Sequence, residues 1–282
     1  MKKSICLGLI FLVFTGCNVG QKQETSTGER DSMVLESQTN TSKRNSVLDI
    51  NEELIFEEYL PILMFHYIED VPSDSPDQLR YGLSFAPESL EQFLIYFKEN
   101  KIETLTFWDL KEIIEGKKNF PEKAVILTFD DGYISHYENA YKLLDQYGMK
   151  GVFYIISDKP DNDPNYARWE QILEMSKNGQ EIASHTVSHP NLVGLSEENI
   201  KYELQKSKEI IEAKIGKPVI SLCYPAGKYD DRVVEIAKEN YLFARTTEPG
   251  EYFSLNERYT MPTVRIFPTT GIASLEAWFS QD

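Results

Sequence analysis

Two acidic residues, Asp130 and Asp131, stand directly behind a run of strand-forming residues in the segment ILTFDDGY (126–133). Adjacent carboxylates at a strand end repel each other, which lowers stability unless a positive charge lies beside them. A bound divalent cation removes that penalty. The pair therefore predicts that other metal-ligating residues lie nearby in the fold.

Two histidines four residues apart, His185 and His189, follow a second strand-like segment, QEIASHT (180–186). Two imidazoles at this spacing can bind one ion, and a carboxylate from Asp130 or Asp131 completes a three-ligand site. Three protein ligands leave positions for water and substrate, as hydrolytic metal centres require. The aspartate that is not a ligand can accept a proton from water. For an arbitrary pair of loop histidines, the better explanation is that they bind no metal. The two aspartates at the end of another strand make a metal site the better explanation here.

The two remaining histidines have different predicted roles. His66 ends the apolar segment PILMFH (61–66) and could protonate a leaving group from the opposite side of the site. Taken alone, His66 is better explained as a buried histidine beneath Tyr67. His136 follows Gly132 on a predicted helix, and we expect it to be exposed to solvent.

Eight short apolar segments alternate with amphipathic segments, which is typical of strands separated by helices. The predicted strands are PILMFH (61–66), ETLTF (103–107), AVILTF (124–129), GVFYIIS (151–157), QEIASHT (180–186), VISLCYP (219–225), LFARTT (242–247) and TVRIF (263–267). This order predicts an α/β domain of about 220 residues with a parallel sheet, closed or nearly closed. Reactive side chains of such folds gather at the C-terminal ends of the strands, where the aspartates and three of the histidines stand.

Two amphipathic segments are the clearest helix predictions. ESLEQFLIYFKENK (88–101) places its large apolar residues on one face. The longest, SEENIKYELQKSKEIIEAKIG (196–216), begins at Ser196 as the N-cap and ends at Gly216.

Composition and charge narrow the range of partners. The chain has 282 residues, of which 41% are hydrophobic, and a formal net charge of −16. This acidic balance argues against nucleic acid or an anionic membrane surface as the main partner. Cys6 and Cys17 lie in the N-terminal segment, so Cys223 has no partner for an internal disulfide. We expect a monomer.

The N-terminal segment MKKSICLGLIFLVFTGC (1–17) has the pattern of a lipoprotein signal peptide. Its apolar run is too short for a spanning helix, which needs roughly 20 apolar residues. The small residues before Cys17 resemble a bacterial lipoprotein cleavage site, although Phe14 is less usual there than leucine. We expect an exported protein, facing the outside or the periplasm, that contacts the membrane only through lipid on Cys17. Residues 18–56 are polar and are predicted to be a flexible tether before a domain at 57–282.

TFDDG (128–132) and HTVSH (185–189) match, letter for letter, the first two motifs of the polysaccharide deacetylase family, also called NodB-homology enzymes. The resemblance runs from roughly Tyr59 to Phe279. It implies a single catalytic domain with a distorted (β/α) barrel of about seven parallel strands.

The same resemblance implies roles for the residues at the strand ends. Asp130 takes the place of the catalytic base, and Asp131, His185 and His189 take the places of the metal ligands. Zinc is the usual ion of the family, and cobalt or nickel can replace it.

CYPAG (223–227) falls where the third motif of the family lies, with one departure. Cys223 stands where the family often has an arginine that braces the catalytic aspartate. We predict that Arg265, near the end of a late apolar run, supplies that brace. By position, the backbone N–H of Ala226 helps to stabilise the oxyanion.

Aromatic residues near the strand ends are candidate contacts for sugar rings. RWEQI (168–172) resembles a fourth motif, so Trp169 is either a substrate contact or plain core. Tyr224, Tyr67 and Tyr133 are either sugar platforms or packing residues.

No histidine follows His189, although the family usually has its acid histidine near the C-terminus. ILMFHY (62–67) is similar to the first segment of the circularly permuted branch, the poly-N-acetylglucosamine deacetylases, where that histidine comes first. His66 then takes the role of the acid. The resemblance implies hydrolysis of N-acetyl groups on N-acetylhexosamine units of poly-N-acetylglucosamine, peptidoglycan or a chitin-like polymer. The alternatives are an O-acetyl esterase acting on a glycan and a non-catalytic glycan-binding envelope lipoprotein.

Overall fold

The computed structural model describes residues 59–251 and 255–279. The predicted signal segment with Cys17, and the predicted tether, lie outside the described residues. Within the described ranges, no helix is both long and apolar enough to cross a membrane. The described residues all belong to one unit of the chain, Leu48–Asp282.

All eight segments predicted as strands contain a strand, and two further short strands form a separate pair. In chain order the strands are β1 (Ile62–Phe65), β2 (Tyr67–Ile68), β3 (Ser84–Phe85), β4 (Glu103–Leu105), β5 (Ala124–Phe129), β6 (Val152–Ile155), β7 (Glu181–Ser184), β8 (Ser221–Cys223), β9 (Phe243–Pro249) and β10 (Met261–Arg265). The α-helices of the described ranges are Gln78–Leu83, Pro87–Glu99, Phe107–Ile114, Lys142–Tyr147, Trp169–Lys177, Glu197–Lys201, Ser207–Ile215, Asp231–Asn240 and Ile272–Phe279. Two π-helical turns, His136–Tyr141 and Tyr202–Lys206, lead into the helices that follow them.

A closed ring of parallel strands forms the centre of the fold. Its order is β1, β10, β9, β8, β7, β6 and β5, and the pairing of β1 with β5 closes it. β4 pairs in parallel with β5 in addition to the ring. The expected barrel of about seven parallel strands with surrounding helices is therefore confirmed.

The first strand of the barrel lies beside the strand that carries the two aspartates. Phe65 pairs in register with Phe129, so His66 and Asp130 follow at the same level. The Asp130 N–H donates to the Phe65 carbonyl across this pair, at 2.9 Å. Barrel closure thus brings together two segments that carry predicted site residues and are distant in the chain.

Successive side chains of β5 enter two different hydrophobic clusters, as the two-residue period of a strand requires. Leu127 and Phe129 belong to a cluster shared with the surrounding helices. Ile126 belongs to a second cluster, which takes at least one residue from each of the seven ring strands. Only the barrel interior can collect side chains from all of those strands.

The helix predictions are confirmed with one local change. Pro87–Glu99 buries Leu90, Phe93, Leu94 and Phe97 on one face. Ser196 caps the longer helical segment, since its hydroxyl accepts from the Asn199 N–H at 3.4 Å. Gly216 ends that segment in the left-handed conformation, which glycine adopts without steric cost. The change is the π-helical turn Tyr202–Lys206, which interrupts a segment predicted as regular α-helix.

Candidate active site

The five residues predicted to form the site stand at the C-terminal ends of three ring strands. His66 follows β1, Asp130 and Asp131 follow β5, and His185 follows β7, with His189 four residues later. His66 and Asp131 are close enough that the charge of each shifts the pKa of the other. The fold thus brings all five to one rim of the barrel.

One carboxylate and two imidazoles form a candidate metal site. Nε2 of His185 lies 3.4 Å from Oδ1 of Asp131, and Nε2 of His189 lies 3.6 Å from the same oxygen. The three potential ligand atoms lie within 4.8 Å of one another. Imidazole nitrogen and carboxylate oxygen are suitable ligands for zinc and its neighbours among the transition metals.

The hydrogen bond of His185 leaves its other ring nitrogen free for a metal. Nδ1 of His185 lies 2.8 Å from the carbonyl oxygen of Cys223. A carbonyl oxygen only accepts, so Nδ1 carries a proton, and in the neutral ring Nε2 then keeps its lone pair. Partners of this kind fix the ring orientation in metal sites.

Glu203, in the π-helical turn Tyr202–Lys206, holds the loop between His185 and His189, the two candidate ligands. One carboxylate oxygen accepts from the backbone N–H groups of Val187 and Ser188, at 2.8 and 3.0 Å. The other accepts from the Ser188 hydroxyl at 2.7 Å. Glu203 is buried, so these charge-assisted bonds are shielded from water and restrain the loop.

Backbone strain is concentrated at this rim. Six non-glycine residues of the described ranges have positive φ, and four of them are Asp131 (79°), Thr186 (68°), His189 (59°) and Ala226 (52°). Each such conformation costs on the order of 1–3 kcal/mol and persists only where surrounding contacts impose it. Three of the four lie at or between the candidate metal ligands, as is typical of backbone strain at functional sites.

The electrostatics of the site favour an ionised Asp131. Burial raises the pKa of its carboxyl group, but the neighbouring imidazoles of His185, His66 and His189 hold that pKa well below its usual range. Burial also lowers the pKa of His189, with His185 acting in the same direction and Asp131 opposing it. A carboxylate beside neutral imidazoles is the protonation state in which all three groups can bind a metal.

The partner of Asp130 is Arg245, and this corrects the prediction that Arg265 would brace the base. The Arg245 guanidinium forms an ion pair and hydrogen bond with Oδ1 of Asp130, and both side chains are almost fully buried, at 0% and 2% exposure. Arg265 is exposed, and its guanidinium lies over the ring of Phe267. The difference follows from strand register, because Arg245 pairs with Cys223 in the buried middle of the ring, whereas Arg265 ends β10. The sequence signal that could have identified Arg245 is that it is the one charged residue within the predicted strand LFARTT (242–247).

Cys223 gives Asp130 a second contact. Its Sγ lies 3.8 Å from Oδ2 of Asp130, and burial raises the thiol pKa so that it stays protonated. Burial lowers the pKa of Arg245 to about 9, so the guanidinium remains charged at neutral pH. The guanidinium carbon of Arg245, Cζ, lies 4.6 Å from the centroid of the Tyr154 ring, a favourable cation–π distance. Both carboxylate oxygens of Asp130 are therefore restrained.

His66 is a neutral imidazole at neutral pH. Burial lowers its pKa to about 3, although the Asp131 charge opposes this shift. The backbone carbonyl of His66 accepts a hydrogen bond from Nε2 of His136.

His136 is buried, with 1% of its surface exposed, so the prediction of a solvent-exposed helix residue was wrong. Burial lowers the pKa of its imidazole to about 4. The residue lies in a π-helical turn rather than the predicted α-helix, and the wider turn changes which side chains face the barrel.

Two aromatic residues predicted as substrate contacts belong to the core. Tyr224 has 0% exposure and stacks on Tyr229 with ring centroids 5.2 Å apart, so its side chain cannot reach a substrate. Trp169 has 9% exposure and packs in the helix-facing cluster, with Nζ of Lys214 over its ring. For Trp169 the structure favours the core alternative.

Two other predicted contacts lie at the rim. Tyr67 is covered on one face by the Arg80 guanidinium and on the other by Tyr133, at 3.6 and 3.7 Å from its ring centroid. Its ring is therefore part of a stack and not an open sugar platform.

Ala226 is exposed at the rim, in the CYPAG turn that also carries Gly227 at φ 67°. A Cβ at Gly227 would lie 2.7 Å from the Thr247 backbone nitrogen, so this tight turn requires glycine.

Comparison with known proteins identifies relatives of this fold and site. A family model described as polysaccharide deacetylase matches residues 117–242, which include the TFDDG, HTVSH and CYPAG segments but not His66 or Arg245.

Two relatives and one solved structure cover most of the chain. It is 31% identical over 210 residues to YxkH of Bacillus subtilis, named as a candidate polysaccharide deacetylase, covering 74% of this chain and 72% of the relative. It is 25% identical over 247 residues to a poly-β-1,6-N-acetyl-D-glucosamine N-deacetylase of Staphylococcus aureus, covering 71% of this chain and 85% of the relative. The structure of the Streptococcus pyogenes deacetylase PplD in complex with acetate has a TM-score of 0.71 and 27% identity, covering 78% of this chain and 97% of that one.

Proposed function

The chain belongs to the polysaccharide deacetylase family, and from that premise we propose that it hydrolyses N-acetyl groups on N-acetylhexosamine units of a cell-surface or extracellular polysaccharide. The observation that carries the proposal is the convergence of Asp131, His185 and His189 beside an Asp130 that is paired with Arg245. Poly-N-acetylglucosamine is the first candidate polymer, because the Staphylococcus aureus relative is named for its deacetylation. Peptidoglycan and chitin-like polymers are the other candidates.

We propose that Asp131, His185 and His189 hold one divalent ion, with zinc as the first candidate and cobalt or nickel as alternatives. The donor set fits such an ion, because each residue offers one ligand atom and Nδ1 of His185 donates to the Cys223 carbonyl, which leaves Nε2 to face the ion. When bound, the ion would polarise the acetyl carbonyl and lower the pKa of water.

Asp130 is the proposed base. It takes a proton from the attacking water as the new C–O bond forms at the acetyl carbon. Arg245 and Cys223 restrain its two oxygens, so the carboxylate is held ready at little entropic cost.

Ala226 and His66 are the proposed partners of the acetyl carbonyl oxygen and of the amide nitrogen. The Ala226 N–H donates to the oxygen that gains negative charge. His66 passes a proton to the amine nitrogen as the C–N bond breaks. Burial lowers the pKa of His66 to about 3, which favours a neutral imidazole before the reaction, and the water that Asp130 deprotonates is the source of the proton that reaches the amine.

Acetate release from four polymers tests the proposal. The purified zinc-loaded protein should release acetate from poly-N-acetylglucosamine oligomers, chitin oligomers or peptidoglycan, and the Asp130→Asn variant should not. Acetate released only from acetylated xylan would identify an O-acetyl esterase instead. Binding to these polymers without release of acetate would identify a non-catalytic glycan-binding protein.

We further propose that the protein is exported and held at the membrane by lipid on Cys17, on the basis of the signal pattern in residues 1–17. Cell fractionation tests this, because Cys17→Ala should move the protein from the membrane to the soluble fraction. An unchanged membrane fraction in this variant would contradict the proposal.

A further inference from the structure

Three side chains that follow the TFDDG motif contact the backbone of the His66 segment. Nε2 of His136 bonds to the His66 carbonyl oxygen, and Nδ2 of Asn139 donates to the Ile68 carbonyl oxygen at 2.7 Å. The Ser135 hydroxyl accepts from the Ile68 N–H at 3.2 Å. The backbone after β1 is therefore held by Ser135 and by the π-helical turn that follows it.

The position of His136 would suit an apolar residue if packing were its only role. Its ring lies among those of Phe129, Phe153 and Tyr133, with centroids 5.7, 6.0 and 5.8 Å away. Its Nδ1 is buried and has no hydrogen-bond partner within the described residues. Leaving that nitrogen unpaired is unfavourable. The compensating contact is the bond from Nε2 to the His66 carbonyl, which requires the proton on Nε2.

The π-helical turn carries His136 and Asn139, which bond to backbone carbonyls of the segment after β1. His136–Tyr141 begins four residues after Gly132, so one short stretch of chain carries the proposed base, a proposed metal ligand and the contacts to His66. π-helical turns inside helices are rare and occur frequently at functional sites. Tyr137, in the same turn, points away, with its hydroxyl donating to Glu174 at 2.9 Å in an exposed contact.

We propose that His136 is a positioning residue for His66, acting through the His66 carbonyl so that the imidazole stays in line with the site formed by Asp130 and Asp131. This inference rests on the proposed function, since it assigns His136 to the proton-transfer step of that reaction. His136 itself touches no reacting atom. The hydrogen bonds of Asn139 and Ser135 with the Ile68 backbone support the same segment two residues further on.

Kinetics of matched variants test the proposal. His136→Leu removes the donor at similar volume, and it should lower kcat by between about tenfold and 100-fold with KM and metal content unchanged, because small misplacements of a reacting group have effects of that size. His136→Gln retains an N–H donor and should recover most of the lost kcat. Tyr137→Phe, in the same turn, should keep the wild-type kcat.

A double-mutant cycle with His66→Ala separates positioning from general loss of structure. If His136 acts through His66, then His136→Leu should cause no further fall in kcat once His66 is alanine. An additive fall in the double variant, or a wild-type kcat in folded His136→Leu, would overturn the inference. A crystal structure of His136→Leu gives a readout without activity, and an undisplaced His66 imidazole would also overturn it. Absence of acetate release from the wild-type protein on every polymer would instead refute the proposed function.

Discussion

Asp130 is a buried carboxylate whose charge is balanced by one buried arginine. Removing two charges from water is costly, and the pair is stable only because the geometry is close and further contacts satisfy both groups. Arg245 also lies over the Tyr154 ring, and Cys223 contacts the second oxygen of Asp130. At the scale of residues, these contacts hold the carboxylate proposed as the base in one position beside the candidate metal ligands, at a cost in stability.

Arg245→Met should destabilise the fold strongly. It leaves the buried Asp130 carboxylate without a counter-ion, and breaking a buried pair in this way costs about 3–5 kcal/mol. Urea unfolding at pH 7 measures the change. Arg265→Met is the matched control, because Arg265 is exposed and such surface changes stay within about 0.5 kcal/mol. Equal free energies of unfolding for the two variants would show that Arg245 is not the counter-ion.

Motif spacing and strand ends were enough to predict which residues converge, but not their buried partners. Asp131, His185 and His189 each follow an apolar run, so their common rim could be inferred from the chain. Arg245 was missed because which guanidinium reaches Asp130 depends on the register between β8 and β9. The burial of His136 was missed because a π-helical turn shifts the phase of its side chains relative to an α-helix.

At the scale of elements, side chains from one segment repeatedly hold the backbone of another. Each π-helical turn holds a histidine-bearing segment, with Glu203 on the loop before His189 and His136 on the end of β1. At the beginning of β7, Glu181 accepts from the Phe107 and Trp108 N–H groups and from the Ser221 hydroxyl. Glu181 thereby satisfies free N–H groups at the N-terminus of the helix Phe107–Ile114.

The Glu181 carboxyl group should make stability depend on pH. Burial raises its pKa to about 7, with the Ser221 hydroxyl and the Phe107 and Trp108 N–H groups opposing the shift. The folded state therefore keeps a proton that the unfolded chain loses above pH 4.5, the ordinary value for glutamate. Stability falls as the pH rises from that value to about 7, by about 3 kcal/mol in total.

Glu181→Gln should remove this component, since an amide keeps the shape and does not titrate. Free energies of unfolding at pH 5 and pH 8 test it, and the variant should gain stability relative to wild type at pH 8. Glu112→Gln is the matched control, an exposed change on the helix Phe107–Ile114. It should leave the difference in unfolding free energy between pH 5 and pH 8 as in wild type. A Glu181→Gln protein with the wild-type difference would contradict the assignment.

At the scale of the whole molecule, the first ring strand closes the barrel between β5 and β10. This closure brings His66, from the beginning of the domain, into register with Asp130 from its middle. The alternation of apolar and amphipathic segments predicted the parallel ring, because strands that are covered by helices on one side and by the barrel interior on the other are short apolar runs. It did not predict the order of closure, which depends on long-range pairing that no local pattern records. The site is therefore a property of the closed barrel.

Metal content measured together with acetate release in two variants tests the central claim most directly. The account predicts that purified Asp130→Asn keeps about one equivalent of metal per chain and releases no acetate, because Asp130 is the base and not a ligand. His185→Ala should lose both, because its Nε2 is a ligand. Loss of the metal from Asp130→Asn, or undiminished acetate release by either variant, would contradict the account.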